Sequence, residues 1–222
     1  MTLGMAVVKR AIDIGVSLIS IILLSPVMIV AAALIKLDSR GPVFHLSQRM
    51  GRYGKPFTIY KFRTMYVNSP IIRNSDGSLR VEKGDPRVTR VGRILRVGLD
   101  ELPQLFNVFK GDMSLIGPRP DPPEAYAHYG EEERLRLSVR PGITGLAQVT
   151  GRTDIPWQQR LGYDLEYVER PSLWLDSKIL IYTLAEFVPP LRNRRLGGEV
   201  GLAGQVGGGN NQAQIAFEKQ AR

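Results

Sequence analysis

Two acids stand side by side in Leu99-Asp100-Glu101-Leu102-Pro103-Gln104, and further along an arginine lies between two prolines in Pro118-Arg119-Pro120. Paired carboxylates and a stiffly held cation are parts that phosphate chemistry uses. Neighbouring side chains on a helix point about 100° apart, so two adjacent acids can serve two roles without sharing a proton. One can bind Mg²⁺, which commonly takes one or two carboxylates and completes its shell with substrate phosphates and water. The other can attack, because an Asp carboxylate is a competent nucleophile toward phosphorus. The dipeptide alone carries little: most such pairs are solvated surface, and near a helix boundary the positive end of the helix dipole accounts for both acids. Arg119 is more specific. Pro118 fixes its own φ and Pro120 restricts the residue before it, which stiffens the backbone presenting a group able to hold phosphate oxygens bidentately. The plainer alternative is a rigid surface turn.

Composition removes several rival chemistries. The 222-residue chain has no cysteine, which excludes disulfides, thiolate metal sites and thiol nucleophiles, and suits a reducing compartment. Its two histidines, His45 and His128, lie far apart without metal-ligand spacing, which gives no support to a serine–histidine triad or a two-histidine zinc site. A net charge of +9 suits a partner rich in phosphate: nucleic acid, an anionic membrane or a nucleotide. The Lys and Arg residues are spread along the chain rather than gathered into a stripe with stacking aromatics, so no nucleic-acid partner is expected.

The N-terminal segment selects the membrane. Ile14 to Ile35 is a run of 22 uncharged residues, about 33 Å as a straight helix and enough to cross the hydrocarbon core. Pro26 sits near its middle, where it removes a backbone hydrogen bond, and Ser25 can bond back to a freed carbonyl, so a sharp bend is expected. Lys9 and Arg10 precede the run, and Lys36, Arg40, Arg49 and Arg52 follow it, so both flanks carry the charge that favours the cytoplasm. A helix-break-helix that enters one leaflet and returns satisfies both flanks, with a kinked span as the alternative. A cleaved signal peptide is disfavoured because the run is long and no small-residue cleavage site follows.

The remainder predicts a compact domain, mixed α/β and helix-dominated, with a small β element and interfacial amphipathic helices. Phe57–Met65 alternates as a strand, with Lys61 and Arg63 on one face and Tyr60 and Phe62 on the other. That strand is either ordinarily half-buried or laid against lipid headgroups. Asn68–Asp85 reads as a polar surface loop that could serve as a lid. Arg87–Phe109 reads as largely helical, with Val91, Leu95, Leu99, Leu102, Leu105 and Phe106 at helical spacing and Pro103 opening a new segment. Arg140–Arg152 reads as a tight polar loop able to bring donors to an anion, or as a glycine-rich connector. Asp164 and Asp176 fit helix-capping or ion-pair roles, and a helix from Leu173 to Val188 is expected to pack mainly in the core. The segments divide as residues 1–40, a membrane-inserted re-entrant helix; 41–190, a cytosolic catalytic domain; and 191–222, a disordered Gly/Asn/Gln-rich tail.

Taken in order, Lys9-Arg10 before an apolar run with Ser25-Pro26, Gly41-Pro42-Val43-Phe44, Tyr60-Lys61-Phe62-Arg63-Thr64-Met65, Leu99-Asp100-Glu101-Leu102-Pro103-Gln104-Leu105, Gly111-Asp112-Met113-Ser114, Gly117-Pro118-Arg119-Pro120 and Arg140-Pro141-Gly142-Ile143-Thr144-Gly145 resemble the bacterial sugar transferase family. These are the monotopic polyprenyl-phosphate phosphoglycosyl transferases, here in a short, minimal form. The resemblance implies an enzyme that passes a sugar 1-phosphate from a UDP-sugar to polyprenyl (undecaprenyl) phosphate, releasing UMP and initiating lipid-linked glycan or exopolysaccharide synthesis. It implies Mg²⁺ as cofactor, the lipid bilayer as a partner, and a bacterial inner (cytoplasmic) membrane location with the catalytic domain facing the cytoplasm. Asp100 would be the nucleophile forming a phosphosugar intermediate, Glu101 the metal ligand, and Arg119 a phosphate-binding group. Arg96, Arg140, Gln148 and Arg152 complete the expected substrate and phosphate contacts, and Ser25 and Pro26 mark the membrane break. Gly98 stands where the family commonly has serine, which leaves Arg93 and Arg96 as competing phosphate ligands. Arg96 is preferred because one helical turn separates it from Asp100 if helix continues through Gly98. Two other functions stay open: a non-catalytic membrane scaffold and a UDP-sugar hydrolase. The sugar and the oligomeric state, homo-oligomer included, are not fixed by the sequence.

Overall fold

In the computed structural model, residues 3–72, 81–82, 84–151 and 155–186 are described. Arg152, part of the Asn68–Asp85 loop, and the expected tail from 191 to 222 lie outside them. The architecture is helix-dominated mixed α/β with two small sheets and one long apolar N-terminal helix.

Helix α1 spans Leu3–Asp38 as one helix with Pro26 inside it. The expected break is therefore not a gap in secondary structure. Proline lacks the N–H that would bond the carbonyl four residues earlier, and the Ser25 hydroxyl takes that acceptor instead, donating to the Ile22 carbonyl at 2.8 Å. One stripe of α1 is buried against the rest of the chain: Asp13, Ser17, Met28, Ala31 and Ile35, positions that recur on one helical face. Met28, Ala31 and Ile35 pack with Phe62 and Leu95 in an apolar cluster. The opposite side, including Ile12, Ile19, Ile22, Leu23 and Ile29, is exposed.

Strands β1 (Phe44–Met50) and β2 (Pro56–Phe62) form an antiparallel hairpin in which His45 faces Lys61. The predicted strand is thus β2, shorter by a few residues because Arg63 turns inward. Arg63 is 5% exposed and donates to the carbonyls of Pro42, Arg40 and Ser39 and to the Ser39 hydroxyl, tying down the exit from α1. It is therefore not a headgroup-facing residue.

The predicted Arg87–Phe109 helix is three pieces: α2 (Arg90–Leu95), a 3₁₀ turn (Leu99–Glu101) and α3 (Gln104–Lys110). Helix α2 ends with Arg96 as its C-cap, and Gly98, in the left-handed region at φ 115°, precedes the 3₁₀ turn, so helical geometry does not pass through it. Helix α2 starts with Thr89 as N-cap, its hydroxyl accepting from the Gly92 amide, while Asp38 at the end of α1 accepts from the Val91 amide. Gly92 is required by contact: a Cβ there would lie 2.1 Å from the Thr64 carbonyl oxygen.

Strands β3 (Ser114–Ile116) and β4 (Gly142–Thr144) pair in parallel. They lead into α4 (Leu146–Thr150), α5 (Trp157–Glu169) and α6 (Leu173–Ala185). The described part of the expected Arg140–Arg152 loop accordingly holds a short strand and a short helix. A second core joins Ile116, Leu146, Val149, Tyr163, Tyr167 and Ile179. Helix α6 has two faces, so the expectation of mainly core packing holds for one of them: Ile179 is fully buried, whereas Trp174, Ile181 and Leu184 are exposed.

Candidate active site

The acids are presented by the 3₁₀ turn between α2 and α3, which Gly98 and Pro103 set apart from both helices. Donors from two elements distant in sequence converge on a single carboxylate oxygen. Lys61 Nζ, from the end of β2, donates to Glu101 Oε1 at 2.6 Å, and Arg119 Nη2, from the loop after β3, donates to the same atom at 2.7 Å. Glu101 Oε2 has no hydrogen-bond partner among the described residues. Burial alone would raise the Glu101 carboxyl, but Arg119 and Lys61 outweigh it and hold it at about 2. The Lys61 ammonium is pushed down by burial, against the pull of Glu101.

Asp100 differs from its neighbour. Its carboxylate engages no other residue's side chain by hydrogen bond among the described residues, and burial together with the adjacent Glu101 charge raises its pKa, against lowering by Lys61 and Arg96. An acid desolvated in this way and left unpaired retains its lone pairs for chemistry. Arg96 caps α2, and its Nε donates to Thr64 Oγ1 at 3.2 Å. It lies close enough to act on Asp100, although not through a shared helix as the spacing suggested.

The loop that carries Arg119 is fixed from below. Arg136, 3% exposed, donates through Nη2 to the Arg119 carbonyl at 2.7 Å and to Asp164 Oδ2 at 2.6 Å, and through Nη1 to Asp121 Oδ2 at 2.7 Å. The same Nη1 makes a short contact with the Tyr129 hydroxyl, which itself donates to Asp121. Asp164 thus takes the ion-pair role. Its burial pushes its carboxyl up to about 6 even against the attraction of Arg136. Asp176 is likewise an ion pair, with Lys9 at 2.7 Å, and accepts from the Tyr167 hydroxyl.

Of the expected site residues, Asp100, Glu101 and Arg119 are brought together, with Arg96 beside them. Gln148 lies on α4 with both carboxamide atoms buried and lacking a partner among the described residues, and its Oε1 is 3.0 Å from where a Cβ on Gly145 would stand. A Cβ on Gly145 would also lie 2.2 Å from the Gly117 carbonyl oxygen, so this carboxamide sits behind the Pro118-Arg119-Pro120 loop. Arg140 is elsewhere: its Nε donates to the Gly111 carbonyl, and it lines a cavity with Lys9, Arg10 and Arg52 that includes neither acid. Sequence reasoning missed Lys61 as a partner of Glu101 and Arg136 as the anchor of Arg119. The only signals were their charges, at strand and turn positions where charge is ordinary.

No group of three or more His, Asp or Glu that could hold a metal occurs among the described residues. Mg²⁺ needs fewer protein ligands when substrate phosphates and water supply the rest, and the unengaged Glu101 Oε2 beside Asp100 is an oxygen donor set of that kind.

A half-buried acid with no side-chain partner among the described residues, a second acid kept ionised and two cations converging on it form the cluster. The model of the bacterial sugar transferase family matches residues 4–189, and the chain belongs to that family. It is 43% identical over 190 residues to an undecaprenyl-phosphate glucose phosphotransferase of Komagataeibacter xylinus, covering 79% of this chain and 35% of that protein. Against an undecaprenyl-phosphate galactose phosphotransferase of Salmonella typhimurium it is 43% identical over 187 residues, covering 79% and 39%. An uncharacterized sugar transferase of Bacillus subtilis, EpsL, is 41% identical over 179 residues, covering 80% and 86%. The chain therefore spans under half the length of the first two relatives and most of the third.

Proposed function

We propose that the protein transfers a sugar 1-phosphate from a UDP-sugar to polyprenyl phosphate through a covalent intermediate on Asp100. One observation carries this reading: Asp100 is left unpaired and desolvated at the point where Lys61 and Arg119 converge on its neighbour Glu101. The names of relatives support the classes: glucose and galactose phosphotransferases of undecaprenyl phosphate for the sugar and the acceptor, and a UDP-glucose:undecaprenyl-phosphate glucose-1-phosphate transferase for the UDP-sugar donor.

In the first half-reaction an Asp100 oxygen attacks the phosphorus bearing the sugar, the bond to the bridging oxygen breaks, and UMP leaves. In the second, an oxygen of polyprenyl phosphate attacks the same phosphorus, which frees Asp100 and yields the lipid diphosphate sugar. Both steps bring negative oxygens together, and Lys61, Arg96 and Arg119 are placed to offset that charge. Glu101 Oε2 would hold Mg²⁺, which when bound would supply further neutralisation of the phosphates. Arg136 keeps the Arg119 loop in place, so that the guanidinium is positioned before substrate arrives.

A membrane setting follows from α1. Both of its ends touch the same globular body, Arg10 at α3 and Asp38 at α2, while its outward face is a continuous apolar surface. This supports a helix held within one leaflet, entering and leaving on the cytoplasmic side. Exposed Ile94, Val97, Phe106 and Phe109 on and beside α2 and α3 add apolar surface around the acids.

The test is UMP release from a panel of UDP-sugars, with and without polyprenyl phosphate, alongside intact-mass analysis of protein given donor alone. One phosphosugar adduct that disappears in Asp100→Asn and is discharged by polyprenyl phosphate supports the reading. Sustained sugar-phosphate release without the lipid would replace it with hydrolysis, and turnover or UMP release unaffected by Asp100→Asn would overturn it.

A further inference from the structure

A second concentration of charge lies at the other end of α3 from the acids, about 10 Å away along that seven-residue helix. Lys9, Arg10, Asp13, Arg52 and Arg140 surround a cavity of about 40 Å³ between the start of α1, β3 and the loop before β4. Much of this basic density has a structural task. Arg10 Nη1 and Nη2 donate to the Val108 and Phe109 carbonyls, and Arg140 Nε donates to the Gly111 carbonyl, so two guanidiniums close the C-terminal end of α3, where positive charge is favoured. Arg52 Nε donates to the Ser138 carbonyl, and its guanidinium stacks on Tyr53 at 4.5 Å.

Those contacts leave chemistry unused. The terminal nitrogens of Arg52 and of Arg140 donate to no protein acceptor among the described residues. The charges do not balance either. Four cations line the cavity, and only two carboxylates answer them: Asp176, bonded to Lys9, and Asp13, which is engaged by the Ser114 hydroxyl and the Leu115 amide. The surplus of positive charge calls for an anion, and a phosphate group supplies one negative charge as a lipid diester and about −1.5 to −2 as a monoester near neutrality. Burial, and then repulsion from Arg10 and Arg52, lowers the pKa of Arg140, as expected where cations are held together without their counter-ion.

We propose that this cavity is a second anion site, distinct from the acid pair, in which the free guanidinium nitrogens of Arg52 and Arg140 hold a phosphate group. Its position favours a lipid headgroup as the source: Lys9, Arg10 and Asp13 end where the uncharged run of α1 begins at Ile14, the level at which lipid phosphates meet a helix entering a bilayer. The site rests on the cavity and its charge balance, and its readout is binding rather than turnover.

The experiment uses the full chain in a neutral maltoside detergent and follows its unfolding midpoint. One arm adds inorganic phosphate against chloride at matched ionic strength. The other adds phosphatidylglycerol against phosphatidylcholine in mixed micelles. The expected result is a rise of about 3 °C or more in at least one arm, reduced to less than about a quarter in Arg52→Gln and substantially kept in Arg52→Lys, which retains the charge. A rise in the lipid arm alone identifies a headgroup; a rise in both identifies a site for phosphate from either source. Arg140→Gln decides the matter if Arg52→Gln does not fold. No rise in either arm, or a rise undiminished in the deciding variant, overturns the proposal.

Discussion

Two clusters in this protein join arginine to carboxylate, and they are built to opposite ends. Around Arg136 every guanidinium nitrogen is bonded to the protein: Asp164, Asp121, the Tyr129 hydroxyl and the Arg119 carbonyl surround a group that is 3% exposed, and Asp164 Oδ1 is buried without a partner among the described residues. Around Glu101 the closure is partial. One oxygen receives both Lys61 and Arg119, the other receives nothing among the described residues, and the Arg119 side chain stays 48% exposed. A buried ion pair is costly to break and has little left to offer a ligand, whereas a cation at a half-open site can exchange its partner for substrate phosphate. The closed cluster sits directly beneath the open one and holds its backbone, so rigidity and reactivity are divided between neighbours rather than combined in one group.

The division predicts that variants of the two clusters fail in different assays. Asp100→Asn should lower UMP release at least about a thousandfold, about 4 kcal/mol of barrier, with an unchanged unfolding midpoint. Arg136→Ala should do the reverse in character: leaving Asp164 buried without its partner should cost about 3–5 kcal/mol of stability, read in thermal or denaturant unfolding. If Arg136→Ala instead folded as well as the parent and lost only turnover, the contrast between the clusters would be wrong. Arg119→Ala should lower turnover by about a hundredfold while shifting stability by no more than about 0.5 kcal/mol. Gly98→Ala should cost about 1–2 kcal/mol, because its left-handed φ strains any side chain, and it should also slow turnover by moving the acid turn. Ser25→Ala should have the smallest effect, about 1 kcal/mol, from the Ile22 carbonyl losing its donor.

Legibility varied along the chain for physical reasons. The apolar run, the Ser25–Pro26 arrangement and most of strand β2, expected over Phe57–Met65 and found at Pro56–Phe62, were readable because hydrophobic period and proline chemistry are local. The helical reading of Arg87–Phe109 failed at Gly98: the apolar spacing runs through it, yet one positive φ separates α2 from the acid turn. The Arg140–Arg152 stretch looked like loop from its glycines. Gly142 and Gly145 are there because the backbone at Gly117 approaches so closely that a Cβ on Gly142 would lie 2.1 Å from the Gly117 nitrogen and one on Gly145 2.2 Å from the Gly117 carbonyl oxygen. Arg140 was grouped with the substrate contacts, but the fold sends it to α3's far end. Lys61 and Arg136 were unremarkable in sequence, since a charge announces neither its partner nor its burial.

Family, the apolar helix with its internal proline, and the identities of Asp100, Glu101 and Arg119 were determined by sequence alone, because each depends on residue type and short spacing. Which cations reach Glu101, which acid is left unpaired, and what anchors Arg119 were decided only by tertiary structure. Those relations join residues 17 to 40 positions apart, and whether a charge is paired depends on what the folded chain brings within about 3 Å of it.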